Sequence, residues 1–324
     1  MFQELHWKDL STLLEWRMDY ITSKYGEPWW YFSRRDLHRE LKRAALCAEG
    51  LGTTPQLELG AQVSSVDLSP NEVHLASGQT YHADVIIGAD GIRTASGTSV
   101  FGKMTSESRG LSAYRCMIPC EKMRQDPKTA IHVDSAKVLM FIGPDRRIVA
   151  YPCSSWEYMD FVCIFPDDTE RRSRWNTEIF IEEMVRKFGD FHPSVTKALI
   201  MVSSTVGDAA HAMGPHQGQG GCQAIEDAEA LRVVLKGAKK RDVEERLKIF
   251  DELRLDRVNT VIRYTREMAP SLTKSSDVNH KTTQTYSDYY WSYKMTQEAV
   301  EAMRRHGYSM QLVDAPTAEL SVVC

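Results

Sequence analysis

The sequence is marked first by what it lacks. Its 324 residues hold no Cys-x-x-Cys pair and no zinc-finger spacing, and the seven cysteines, Cys47, Cys116, Cys120, Cys153, Cys163, Cys222 and Cys324, are scattered and odd in number. That disfavours a disulfide framework, and with no signal-peptide pattern at the N-terminus the expectation is reduced thiols in the cytoplasm. No apolar run approaches the roughly 18 residues of a membrane span. Basic excess is also absent, with 40 Lys and Arg against 44 Asp and Glu for a net charge of −4. Nothing therefore points to nucleic acid or an anionic membrane surface as a partner. The patterns GxxxxGK[ST], GxSxG and GxGxxG do not occur, so the usual signatures of a phosphate loop, a serine nucleophile elbow and a dinucleotide-binding turn are missing.

What is present is a globular composition, 42% hydrophobic and 26% charged, long enough for one large or two ordinary domains. Residues 1–22 place Phe2, Leu5, Leu10, Leu13 and Leu14 at near-helical spacing, which predicts an amphipathic helix. Strands are predicted over Val63–Leu68, Val73–Ala76 and Thr80–His82, then over a β-branched run that ends in Gly-Ala-Asp-Gly at Asp90 and Gly91. Further pieces at Leu111–Ile118, Ala130–Val133, Lys137–Ile142, Arg147–Tyr151 and Met159–Phe165 predict an antiparallel sheet. Helical periodicity covers Trp175–Phe188 and Val243–Met268, the latter with Leu247, Phe250, Leu253, Val258 and Val261 inward. Residues 271–287 read as a polar loop and Tyr289–Tyr308 as a last helix. KGAKKR, Lys236–Arg241, reads as a solvated helix end.

The most informative stretch is Thr205–Leu231, TVGDAAHAMGPHQGQGGCQAIEDAEAL. A β-branched segment runs into a Gly-Asp turn at Gly207 and Asp208, a glycine-rich loop with Gly218, Gly220 and Gly221, and a helix with Glu226, Asp227 and Glu229 in its body. Glycines let a backbone approach a ligand closely, and a helix start offers unpaired N–H groups with partial positive charge. The ligand expected there carries negative charge.

This segment resembles the flavin-contacting segment of the FAD-dependent aromatic monooxygenases, the salicylate-hydroxylase-like group with the para-hydroxybenzoate hydroxylase fold. Two further stretches carry the resemblance. YGEPWWYFSRRDLHRELKRAA from Tyr25 is similar to the family's Tyr-Gly-x-Pro-Trp and Arg-x-Asp-Leu-His, and ADVIIGADGIRT is similar to its Asp-Gly fingerprint. The resemblance implies that Arg34 reaches the FAD phosphates, a contact suited to guanidinium. It also implies that Asp90 and Gly91 lie near the pyrophosphate and ribose, and that Asp208 bonds the ribityl chain. Pro215 would sit at the reactive flavin edge, the amides around Gly220 and Gly221 would face the flavin N1 and C2 carbonyl, and Gly218 of the same loop would also bind the cofactor. Arg115, in SAYR, would orient an acidic or phenolic substrate; an exposed strand arginine is the plain alternative. FHPSVTKALI is similar to the family's turn and helix, and the pair Arg254 and Arg257 to its Arg-x-x-Arg helix, which packing and solubility also explain.

The fold implied is α/β, an incomplete Rossmann-like FAD-binding domain with an inserted antiparallel sheet domain of α+β character. The boundaries expected are 1–105 and 196–270 for the FAD-binding parts, 106–195 for the substrate sheet and 271–324 for a helical extension. By the family pattern an N-terminal GxGxxG βαβ unit and a short internal segment are missing, MVSSTV serving as a shortened strand. The activity implied is reduction of FAD by NADH or NADPH and transfer of one oxygen atom from O2 to a small aromatic, polyketide or terpenoid molecule. Two other readings stand beside it: a relative without FAD that binds a metabolite or partner, and a flavin-independent isomerase or cyclase. An oligomer is left open. His211, His216 and Cys222 have the wrong spacing for one helical face, so no metal is expected there.

Overall fold

The computed structural model describes residues 1–49, 53–91, 94–102, 110–133, 136–166, 177–202, 219–268, 280–310 and 322–323. It divides into two compact units, one of residues 1–40, 108–217 and 264–292, the other of 41–107, 218–263 and 293–324.

In chain order, β1 (Phe2–His6) and β2 (Thr12–Trp16) precede α1 (Ile21–Tyr25) and α2 (Arg34–Ala45). Next come β3 (Val63–Asp67), β4 (Glu72–Leu75), β5 (Thr80–His82), β6 (Val85–Ile86), α3 (Ala95–Phe101) and β7 (Leu111–Pro119). The short helices α4 (Cys120–Arg124) and α5 (Pro127–Ala130) lead to β8 (Val138–Ile142), β9 (Arg147–Cys153) and β10 (Tyr158–Pro166). Then follow α6 (Thr177–Phe188), α7 (Pro193–Ile200), α8 (Gln219–Leu235), α9 (Val243–Met268), α10 (His280–Trp291), α11 (Met295–Arg305) and β11 (Val322–Val323).

The first unit is built on a six-stranded sheet of order β2-β1-β8-β9-β10-β7. Its pairs are antiparallel except β1 with β8, which run parallel. Alternate residues of each strand face one way. Cys116, Ile118, Ile148, Ala150, Phe161 and Cys163 turn into the core with Met184 and Phe188 of α6 and Val195 and Leu199 of α7. Full burial of a side chain such as Phe161 contributes about 2–3 kcal/mol. The other parity of the same strands remains for another purpose.

The N-terminal helix expected over 1–22 is corrected: residues 2–16 form the β1–β2 hairpin. Asp9 Oδ1 accepts from the Ser11 N–H at 2.9 Å and the Ser11 hydroxyl at 2.7 Å, and Leu10 takes a φ of 59°, which turns the chain back. Parallel pairing with β8 and an edge contact of Trp7 with Phe191 then outweigh the local periodicity. Ala130–Val133 is not a strand either. Asp126 accepts from the Lys128 N–H at 2.9 Å and Pro127 stands at the first position, a helix start that yields α5 and a turn. The single helix expected over 289–308 is two, because α10 ends at Trp291 and α11 starts at Met295, and α10 also takes in 280–287 of the expected loop. Trp291 anchors that end, packed against Trp16, Tyr25 and Trp29.

The second unit holds the antiparallel meander β3-β4-β5, a parallel pair of β6 with β11, and a helical core. Ala230, Val233 and Val234 of α8 meet Ile249 of α9 and Ala299, Val300 and Met303 of α11 there. The inward line of α9 differs from the apolar one expected. Val261 is buried, but Leu247, Phe250, Leu253 and Val258 are only partly so, and the buried positions include Arg246, Arg254 and Arg257.

Candidate active site

The face of the six-stranded sheet opposite its main core carries polar groups set among buried apolar ones such as Met117, Val162 and Ile164. Asp160 of β10 pairs in register with Tyr151 of β9, and the Tyr151 hydroxyl donates to Asp160 Oδ2 at 2.9 Å. Asp160 is only 8% exposed. Burial pushes its carboxyl above the usual range, with the Tyr151 hydrogen bond and the Arg115 charge pulling the other way. Burial also raises Tyr151, with the Asp160 charge adding to it. Arg115 of β7 pairs with Val162, two residues from Asp160 on the same face, and is half-buried. Arg147 lies on this parity of β9, where burial lowers it to about 10 against the pull of Glu4. A carboxylate, a phenol and two guanidiniums thus share one sheet face.

The segment before α2 lies over that face. Tyr31 stacks on Tyr151 with centroids 5.9 Å apart, and burial raises its hydroxyl to about 12. Ser33 is buried, its Oγ accepting from the Asp36 N–H at 3.1 Å, and Asp36 accepts from the Ser154 hydroxyl and pairs with Arg39. These contacts fix the start of α2, whose first residue, Arg34, is exposed.

The remaining described site candidates lie in the second unit. Asp90 Oδ1 accepts from the hydroxyls of Thr94 at 2.6 Å and Ser96 at 2.8 Å, and Oδ2 from the N–H groups of Ala95 at 2.7 Å and Ser96 at 3.0 Å. Desolvation works to raise this carboxyl, yet the hydrogen bonds from Thr94 and Ser96 hold it at about 2. The Asp90 side chain therefore caps α3, and Gly91 takes a φ of +71°, a conformation few L residues adopt. A Cβ on Gly88 would collide with Ser96 Oγ, so this turn needs its glycine for packing.

Gly220 and Gly221 open α8, and a Cβ built on Gly221 meets nothing within 4 Å. Backbone N–H groups at a helix start suit an anion. The helix is braced from behind by the Arg-x-x-Arg pair of α9, for which packing is the reading that holds. Arg254 bonds Glu226 at 2.6 Å, Asp227 at 2.7 Å and Gln223 Oε1 at 2.7 Å, and Arg257 bonds Glu226 at 2.9 and 3.1 Å while lying over the Tyr293 ring. Desolvation opposes ionisation of Glu226, but Arg257 and Arg254 overcome it and lower its pKa. The sequence signal was there, in an Arg-x-x-Arg helix matched by an acidic pair on α8. Asp208, Pro215 and Gly218, like the MVSSTV strand beyond Val202, lie outside the described residues. Taken by itself, Arg34 in the first unit offers a guanidinium suited to a phosphate, and the α8 start in the second offers backbone N–H groups suited to an anionic ring edge. Among the described residues no helix is long and apolar enough to cross a membrane.

No family model matches the chain. It is 29% identical to an FAD-dependent monooxygenase of Aspergillus candidus over 95% of this chain and 80% of that protein. With an FAD-dependent monooxygenase of Diaporthe leptostromiformis the identity is 30%, covering 72% of this chain and 69% of the relative. Hispidin-3-hydroxylase of Neonothopanus nambi is 28% identical over 73% of this chain and 65% of its own length. Among solved structures, a salicylate hydroxylase substrate complex superposes with a TM-score of 0.68 at 22% identity, covering 93% of this chain and 81% of that one, a likeness of fold.

Proposed function

The chain belongs to the FAD-dependent monooxygenases, and from that premise we propose that it oxygenates a small phenolic or polyketide-type molecule, held against the polar face of the six-stranded sheet. The observation that carries this reading is the buried Asp160 with Tyr151, flanked by Arg115, on the sheet face opposite the main core. The named activity of the hispidin hydroxylase relative supports an aromatic substrate. A protein that binds metabolites without FAD, or a flavin-independent isomerase, leaves that relationship unexplained.

From the family pattern we assign FAD contacts to Arg34, to Asp90 and Gly91, to the amides at Gly220 and Gly221, and to Asp208, Pro215 and Gly218. When bound, FAD supplies the redox chemistry, taking a hydride from NADH or NADPH and activating O2. The protein's own tasks are then to bind, orient and move a proton. A phenol donating to Asp160 fills an acceptor that one Tyr151 hydrogen bond leaves unsaturated, and a carboxyl with a raised pKa takes the phenol proton more readily. The ring gains electron density at its ortho and para carbons, and Arg115 offsets the phenolate charge. We assign FAD binding to 1–105 with 196–270, substrate binding to 106–195, a helical extension to 271–324, and the cytoplasm as the location.

Visible spectroscopy of the purified chain titrated with FAD tests the premise. Bound-flavin bands that saturate at micromolar FAD are expected; a free-flavin spectrum at tens of micromolar would overturn it. Adding phenols to the loaded chain should then shift those bands, and Arg115→Ala should weaken that shift without loss of flavin.

A further inference from the structure

The meander β3-β4-β5 brings together residues that no ligand spacing in the sequence announces. Asp67, Glu72 and His82 stand directly opposite one another across the three strands, and His74 lies two residues from Glu72, hence on the same face. His74 Nε2 is 3.0 Å from Asp67 Oδ2 and 3.5 Å from Glu72 Oε2, and one ligand atom from each of the three residues lies within 4.8 Å of the others. Zinc with bond lengths of about 2.0–2.1 Å in tetrahedral geometry sets its ligand atoms roughly 3.3 Å apart. The His74–Asp67 and His74–Glu72 separations bracket that value.

Two other features favour a cation here. Thr80 Oγ1 lies 3.0 Å from His74 Nδ1. Without metal, Nε2–H donates to Asp67 and the Thr80 hydroxyl to Nδ1; with a cation on Nε2, the Thr80 oxygen can accept the Nδ1 proton instead, the outer contact that metal-binding histidines normally have. His82 Nδ1, 3.4 Å from Glu72 Oε1, holds the second oxygen of Glu72 and turns the first toward His74. Asp67 and Glu72 also face each other as like charges across a strand pair, an arrangement that destabilises a sheet unless a cation compensates it.

We propose that Asp67, Glu72 and His74 form a binding site for one divalent cation of the zinc class, with water completing its coordination and Thr80 and His82 as positioning residues. The site lies wholly within the meander and does not depend on the monooxygenase reading. Binding would clamp β3 to β4.

The test is calorimetric titration of the metal-stripped full chain with Zn2+, repeated on His74→Gln and on Asp67→Asn, whose half-exposed positions favour folded variants. One equivalent is expected to bind at micromolar concentration, with affinity reduced roughly tenfold or more in either variant. Cys47 and Cys222 are exposed rival ligands, so Co2+ is the second probe. Its spectrum should lack a thiolate charge-transfer band. Absent binding, affinity unchanged in both variants, or a thiolate band as the sole Co2+ signal would each overturn the proposal.

Discussion

Two carboxylates, a half-buried one in the second unit and a buried one in the first, have opposite surroundings. Glu226 on α8 is gripped by both Arg254 and Arg257, and its pKa is lowered in spite of burial. Asp160 on β10 is more deeply buried, receives a single side-chain hydrogen bond from Tyr151, and is raised. A carboxylate saturated by two guanidiniums has nothing left to offer a ligand; its role is to bind α8 to α9. One that keeps acceptor capacity in a dry setting carries a free-energy cost that a ligand donor can relieve. The saturated acid is structural, and the unsaturated one belongs to the substrate face.

Substitution can break this contrast, and the largest effect is expected at Glu226. Glu226→Ala strips the shared carboxylate from two buried arginines and should cost about 3–5 kcal/mol in denaturant unfolding. A loss below about 1 kcal/mol would show that the network is not what holds the helices together.

A buried titratable group in the sheet unit gives the next effect. His132 is 3% exposed, its Nε2 2.8 Å from Ser194 Oγ; burial, helped by the His192 charge, lowers it from 6.5 to about 4. Its folded pKa is depressed, so the neutral ring is favoured in the folded state. The associated stability is present above pH 6.5 and is lost as the pH falls toward 4, up to about 3 kcal/mol in all. Melting temperatures across that window should fall less steeply in His132→Gln than in the parent, and equal slopes would refute the assignment.

Asp160→Asn separates stability from activity. The amide retains a partner for Tyr151 and removes the desolvated charge, so unfolding free energy should change by less than about 1 kcal/mol. Turnover of a phenol should drop by roughly a hundredfold if Asp160 takes its proton. Smaller again is Tyr151→Phe, for which about a tenfold rise in KM with a modest change in kcat is expected from lost orientation. If both variants oxidise phenols like the parent, the polar face is not the substrate face.

Much of the scaffold was legible in the sequence. Alternating apolar residues located β3–β5 and β7–β10 to within one or two positions, and the strong period of Val243–Met268 set α9 correctly. The N-terminal hairpin was not legible, because its pairing with β8 is a contact between residues more than a hundred positions apart, invisible to a local period. For Arg254 and Arg257 packing and solubility could not be told apart, because burial of an arginine depends on the acid that meets it from another helix. Arg115 could be singled out from its motif. Asp160 and Tyr151 could not, since only the β9–β10 register makes them neighbours. The same holds for Asp67, Glu72 and His74.

The most direct measurement is mass analysis of the product when the purified chain, supplied with FAD, NADPH and a phenol whose binding shifts the flavin spectrum, works under isotopically labelled dioxygen. The account predicts one labelled oxygen atom in the product, formed only with the reduced nicotinamide present. An unlabelled product, or turnover that continues without FAD, would contradict it.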